Sequence, residues 1–476
     1  MSHELMAPIM FGALVVVLLI GYPVAFSLGA VGLAFAVVGI EMGLLRVELL
    51  QALPERVFGI MANPTLLAIP FFTFMGVVLE RSGIAEEMLD TMGQLFGPVR
   101  GGLAYAVIFV GALLGGPAGV VAATVIAMGL ISLPIMMRYG YSTRLTCGVI
   151  AASGTLAQII PPSIVLVVMA EVLGISVGDV YAGALIPSLV LTGLYALYVF
   201  IVSIVAPEAA PALPAEARTL AGWPLARRAL ATLVPAVVLI FLVLGTIFLA
   251  IATPTEGAAM GAVGALGLAA AKGRLNRRVL FQAVDQTTKL TSFVIFILVG
   301  ATVFTLVFRG LDGDLWIEEL ARGLPGGIVG FLIFVNAIVF VLAFFLDFFE
   351  IAFILLPLLG PVAHKLGIDM VWFAVLIGVN MQTSFMHPPF GFALFYLRSV
   401  APKEIRTSDI YWGAVPFVVI QLIMVGLVIA FPQMVLHYKG EPVKDGPALE
   451  MQIPDVAPQS DRDTVSDDIE RALKAR

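Results

Sequence analysis

The sequence predicts an all-α polytopic membrane protein built from two copies of one unit, with helices broken at corresponding places. Three observations carry this. First, 60% of the 476 residues are hydrophobic and 12% charged, with a mean hydropathy of +1.05, and so much apolar surface needs lipid to cover it. Second, the chain has two Pro-Pro pairs, Pro161-Pro162 and Pro388-Pro389, each 21 residues after a turn-forming glycine, Gly140 and Gly367. Third, Gly101-Gly102 and Gly326-Gly327 open long apolar runs at an offset of 225, close to the 227 that separates the Pro-Pro pairs. A repeated membrane unit interrupted at matching positions points to a secondary transporter, with its site where the breaks meet.

At about 20 apolar residues per span, the chain has room for roughly a dozen crossings, fewer where a segment only dips in. The N-terminal MSHELM has Glu4 and no Lys or Arg before the apolar run from Ala7, so the first segment reads as a membrane helix and not as a cleaved leader. Residues 1–206 form the first membrane half. Apolar runs there cover 7–40 with a break at Gly21-Tyr22-Pro23, then 61–79, 102–135, 145–175 and 183–206. Residues 207–228, rich in Pro and Ala, read as a linker. The second half, 229–436, has runs at 229–271, 290–308, 328–362, 371–400 and 410–436. Amphipathic stretches at 41–58, 84–96 and 312–322 are expected along the interface. Residues 437–476 form a polar tail with a short helix at 464–475. Lys272, Arg274, Arg277 and Arg278 form the densest basic cluster, which places that loop in the cytoplasm.

Chemistry concentrates at the interruptions. Two consecutive prolines free carbonyls from the helix ladder, and freed carbonyls in a low dielectric need a partner, which a cation with neighbouring hydroxyls supplies. The first break carries Gly154, Thr155, Gln158 and Pro161; the second carries Asn380, Gln382, Thr383 and Pro388. A kinked helix packed by its neighbours is the plainer alternative, and the matched second copy weighs against it. Gly115-Gly116-Pro117-Ala118-Gly119 lies between charge-free apolar runs and reads as a chain reversal inside the membrane, or as close packing of small residues. In the corresponding place of the second half stand Asp347 and Glu350, costly in lipid and therefore functional candidates, or else markers of an interfacial helix end. His387 directly precedes the second Pro-Pro pair and could touch an anionic substrate, or simply pack. Arg138, Arg144 and Arg309 end apolar runs and are expected to reach the headgroups, and Glu256 reads equally as a helix first-turn acid.

A single cysteine, Cys147, excludes a disulfide framework and any cysteine-based metal site. No phosphate loop, HExxH or GxSxG is present, so the chain is expected not to be an enzyme and has no visible means of hydrolysing ATP. Nothing in it suggests nucleic acid.

Four stretches, GGLAYAVIFVGALLGGPAGVVAATV, RYGYSTRLTCGVIAASGTLAQIIPPSIVLV, ATPTEGAAMGA and GIDMVWFAVLIGVNMQTSFMHPPFGFALFYLRSVAP, resemble the large membrane subunit of the tripartite ATP-independent periplasmic (TRAP) transporters. The last stretch is most similar to the mannitol/chloroaromatic-like branch, associated with 2-oxo acids, lactate, aromatic acids or polyols. The resemblance implies an inverted repeat, two re-entrant hairpins and an elevator-type ion transporter fold. It implies sodium as coupling ion, held where each hairpin tip meets a broken helix: Gly115, Gly154, Thr155 and Pro161 on one side, Asn380, Gln382, Thr383 and Pro388 on the other. Gly116, Pro117, Asp347, Glu350 and His387 would then face the substrate. A small four-helix membrane subunit and a periplasmic substrate-binding protein are the implied partners, in a bacterial inner membrane. The competing classes are the permease of an ATP-driven importer, whose coupling loop no segment here resembles, and a structural membrane subunit.

Overall fold

The computed structural model describes residues 5–118, 121–389 and 391–439, and all regular structure among them is helical. Gly119 and the helix expected at 464–475 lie outside the described residues. Among the described residues six helices are long and apolar enough to cross a membrane, or up to eight if each of two bent pairs is one span, and five shorter apolar helices accompany them. Much of the apolar sequence that suggested a dozen crossings is thus used in half-length helices.

The first half comprises α1 (Met6–Leu19), α2 (Val24–Glu41), α3 (Leu53–Met61), α4 (Ala68–Arg81), α5 (Ile84–Phe96), the helix pair α6 (Gly102–Ala118) and α7 (Val121–Arg138), the broken pair α8 (Thr143–Thr155) and α9 (Ile164–Leu173), and α10 (Val177–Val205). The second half repeats the order with α11 (Gly222–Phe248), α12 (Pro254–Ala271), α13 (Arg277–Gly310), α14 (Gly313–Arg322), the pair α15 (Gly327–Leu342) and α16 (Phe348–Lys365), the broken pair α17 (Met370–Met381) and α18 (Phe392–Val400), α19 (Thr407–Ala430) and the short α20 (Gln433–Leu436). The repeat extends to details: Gly140 and Gly367 both take left-handed φ at the turn into the broken helix, and both Pro-Pro bonds are cis.

The halves are interlaced. α2 packs along α13, and its counterpart α12 along α4. Glycines allow both approaches, since a Cβ on Gly300 would sit 2.4 Å from the Ala25 carbonyl oxygen, and one on Gly261 would sit 2.5 Å from the Met75 sulfur. With lipid outside, such close van der Waals packing by small residues is what holds helices together. The hairpins are exchanged in the same way. α6 packs on α8 and α15 on α17 within their own halves, while α7 packs on α8 and also on α18 of the other half, and α16 on α17 and also on α9 of the other half.

The linker is docked, not loose. The Gly101 and Ser142 amides donate to the Ala210 and Ala209 carbonyls, and the Leu213 amide to the Gly97 carbonyl, each at 2.9 Å. Ala210 and Leu213 are buried, and residues from Gly222 onward already belong to α11. Of the amphipathic stretches, 41–58 becomes a short 3-10 turn followed by α3, while α14 meets α15 at a 119° bend. α5 is held by charge: Glu87 Oε2 lies 2.7 Å from Lys272 Nζ and 3.5 Å from Arg274, and Asp90 pairs with Arg228 at 2.7 Å. Burial alone would push the Glu87 carboxyl up, but the Lys272 and Thr232 hydrogen bonds and the Arg274 charge bring it below the usual carboxylate range. Glu256 stands in the first turn of α12 in a capping box with Thr253.

Candidate functional site

The helix ladder stops at each Pro-Pro pair for the same reason: Pro161 and Pro162 cannot offer the N–H groups that the Ala157 and Gln158 carbonyls would take in a continuous helix. Ser163 fills one gap, its hydroxyl donating to the Gln158 carbonyl at 2.6 Å. Its own carbonyl accepts from Tyr181 Oη at 3.2 Å. α8 therefore ends at Thr155, a 3-10 turn covers Leu156–Gln158, and α9 restarts at Ile164 with Ser163 as its cap. In the second half α17 ends at Met381, a 3-10 turn covers Gln382–Phe385, and α18 restarts at Phe392.

Both breaks carry buried polar side chains with oxygen atoms that lack a partner. Thr155, Asn380, Gln382 and Thr383 are all 0% exposed. The side-chain oxygen and nitrogen of Gln382 and the hydroxyl of Thr383 have no hydrogen bond, nor do Ser153 Oγ, Gln158 Oε1 or Asn380 Oδ1. A buried polar atom left unpaired costs about 1–3 kcal/mol, so two such clusters at symmetry-related breaks call for something that completes them. The donors are neutral oxygens, suited to a small hard cation. No cluster of His, Cys, Asp or Glu among the described residues could hold a metal ion.

The first hairpin reaches its break through glycine. A Cβ on Gly115 would lie 2.7 and 2.8 Å from the Ala157 backbone, and one on Gly111 would lie 2.7 Å from the Ser153 carbonyl oxygen. A Cβ on Gly154 would meet the Val125 side chain at 2.3 Å, so α7 closes on the other side. Gly116 and Pro117 fall in the last turn of α6. The second hairpin uses a different device. Asn336 of α15 accepts from Asn380 Nδ2 through both its carbonyl (2.8 Å) and its Oδ1 (2.9 Å). Its own Nδ2 donates to the Leu332 carbonyl at 2.8 Å.

Asp347 and Glu350 form a reciprocal cap at the start of α16: Glu350 N donates to Asp347 Oδ1, and Asp347 N to Glu350 Oε2, each at 2.9 Å. Carboxylates at a helix N-terminus are stabilised by its dipole, so the hairpin tip can carry two acids. Glu350 reaches the wall of a cavity of about 430 Å³ between the tip and the α1–α2 junction, lined also by Tyr22, Phe26, Phe293, Phe345 and Phe392. Such a volume suits a small ligand. His387 is buried, its ring stacked on Phe344 at 4.2 Å and edge-on to Phe340 at 4.4 Å. The Ala343 backbone is near this ring but not in hydrogen-bonding geometry, so both ring nitrogens stay unpartnered.

Two residues at the breaks were not anticipated from the sequence. Asn336 and Gln421 are single amides inside the apolar helices α15 and α19, and a lone polar residue in a membrane helix is itself the signal that could have found them. Gln421 is 0% exposed and joins Thr155 to Tyr195.

Residues 11–434 match the family model described as tripartite ATP-independent periplasmic transporter, DctM component. The chain is 31% identical over 392 residues to the C4-dicarboxylate TRAP transporter large permease protein DctM of Pseudomonas aeruginosa, covering 81% of this chain and 88% of that protein. It is 28% identical over 417 residues to the sialic acid TRAP transporter large permease protein SiaM of Vibrio cholerae, covering 87% and 94%. Among solved structures it resembles the Alcanivorax borkumensis YdaH transporter, with a TM-score of 0.56 at 16% identity over 82% of this chain and 90% of that one, a likeness of fold alone. With its paired hairpins and breaks, the chain belongs to the family of TRAP transporter large permease proteins, multi-pass proteins of the bacterial inner membrane.

Proposed function

We propose that this chain is the permease of a sodium-coupled importer for small organic acids, working with a small four-helix membrane subunit and a periplasmic substrate-binding protein. The observation that supports it most is the pair of buried oxygen clusters without partners, one at each break. In this reading Gly115, Gly154, Thr155 and Pro161 hold one sodium ion and Asn380, Gln382, Thr383 and Pro388 a second. Gly116, Pro117, Asp347, Glu350 and His387 surround the substrate at the hairpin tips. The names of the relatives, C4-dicarboxylate and sialic acid, favour a carboxylate cargo; the 2-oxo acid, lactate, aromatic acid or polyol class is the finer proposal.

Orientation follows from charge. Lys272 and Arg274 of the α12–α13 loop pair with Glu87 of α5, and Arg228 of α11 pairs with Asp90 one turn further along it, with Arg218 in the docked linker near Arg228 in sequence. The Lys/Arg rule assigns this end to the cytoplasm. α13 then runs outward, and the second hairpin enters from the periplasmic side.

The energetics permit accumulation. One sodium ion descending a tenfold gradient and ~100 mV releases roughly 1.4 plus 2.3 kcal/mol. Two ions carry a monoanion inward against the potential with enough left for roughly thousandfold accumulation. Reconstitution of the complex in liposomes with its binding protein tests the reading. Uptake should require an inward sodium gradient, and equal uptake with potassium on both sides would refute it.

A further inference from the structure

α8 and α19 start at the same end of the bundle and run side by side through three contacts. Arg144 Nε meets Asp409 Oδ1 at 3.2 Å. One turn on, Gly148 and Gly413 touch backbone to backbone, since a Cβ on Gly148 would lie 2.1 Å from the Gly413 carbonyl oxygen and one on Gly413 would lie 2.2 Å from that of Arg144. About two turns further stand Thr155 and Gln421, with Gln421 Nε2 3.5 Å from Thr155 Oγ1 and 2.9 Å from Tyr195 Oη. The Thr155 hydroxyl donates to the Ala152 carbonyl at 2.9 Å, so its oxygen meets Gln421 as an acceptor. Gln421 Oε1 is buried and has no partner at all.

We propose that Gln421 completes the cation site at the first break: Oε1 supplies a ligand oxygen, while Nε2 fixes the Thr155 and Tyr195 hydroxyls. The inference rests on the sodium-coupled reading above. It also predicts that the two cation sites are unequal. Pro416 of α19 corresponds to Pro187 of α10, which sets Thr192 opposite Gln421 in the repeat. α10 carries no Asn or Gln, and the Thr192 hydroxyl donates to the Ser188 carbonyl at 2.8 Å, so the second break has no amide from α10 to match Gln421.

The test is sodium-dependent thermal unfolding of the full-length chain in nanodiscs, titrated with sodium chloride against choline chloride at constant ionic strength, with no transport required. Gln421→Leu should raise the sodium midpoint about 10- to 100-fold, the range expected when a group that holds or orients a metal ligand is lost. Gln421→Glu keeps the ligand oxygen, adds a negative charge that attracts the ion, and can accept from the Tyr195 hydroxyl in place of donating to it, so it should stay within a few-fold of the parent or bind more tightly. Thr192→Val should match the parent. A parental midpoint in Gln421→Leu, or an equal shift in Thr192→Val, overturns the assignment while leaving the sodium reading intact. A parent chain without any sodium response overturns both. Should Gln421→Leu not accumulate, Gln421→Glu decides, because loss of its sodium response contradicts the proposal.

Discussion

Gly148→Ala probes the tightest helix crossing at the first break. The added Cβ would meet the Gly413 carbonyl oxygen at 2.1 Å, and reaching the 3.4 Å of ordinary contact requires a 1.3 Å displacement of one backbone from another. No side chain can yield in its place, so α8 and α19 must separate or bend. Overpacking of this kind costs about 1–3 kcal/mol, against which alanine regains about 1 kcal/mol of helix propensity. The same displacement would take Thr155 and Gln421, now 3.5 Å apart, out of hydrogen-bond range. Gly426→Ala on α19, where nothing lies within 4 Å of the new Cβ, is the control and should be neutral or slightly stabilising. Equilibrium unfolding in mixed micelles, with and without sodium, should show Gly148→Ala less stable than this control and less responsive to sodium. Identical behaviour of the two variants would refute the backbone contact and the coupling drawn from it.

Asp347→Asn keeps a good cap and should unfold like the parent, whereas Asp347→Ala should lose about 0.5–2 kcal/mol; a fall in transport in the Asn variant would then report the carboxylate itself, and full activity would return Asp347 to a purely structural cap. Asn336→Leu removes the side-chain acceptor of Asn380 and should cost about 1–2 kcal/mol in the same unfolding assay, while a neutral result would mean that the second hairpin is held by packing alone. Glu87 has a folded carboxyl below its unfolded value, so its contribution is full above the unfolded value and is lost as pH falls through and below the ordinary carboxylate range. Glu87→Gln should flatten the acid side of the stability profile, and an unchanged slope would contradict the role of the Lys272 and Arg274 pairs.

The repeat was legible because proline and glycine act locally. A Pro-Pro pair ends a helix whatever surrounds it, so the breaks at Pro161 and Pro388 could be placed by position alone. The amphipathic α5 and α14 were legible from charged residues set among apolar neighbours. Contacts between distant segments were not. The exchange of α2 and α12 between halves depends on glycines such as Gly300 and Gly261, which in sequence look like any others in an apolar run. The linker's composition marked it as a connection between the halves and said nothing of the backbone amides at Gly101 and Ser142 that capture it. Asp347 was read for its charge, and the reciprocal geometry with Glu350 depends on both residues sitting at one helix start. Gln421 lies far along the chain from Thr155 and acquires meaning only when α19 is laid against α8.

The most direct test of the account is a reversal-potential measurement on the reconstituted complex. With substrate gradient and membrane potential fixed, the sodium gradient is varied until net substrate flux is zero. Two cation sites and a monoanionic cargo predict a reversal point that moves with the square of the sodium ratio and shifts with potential as one net positive charge per cycle. A reversal point that ignores the sodium gradient would contradict the claim that the paired breaks are where the coupling ions bind.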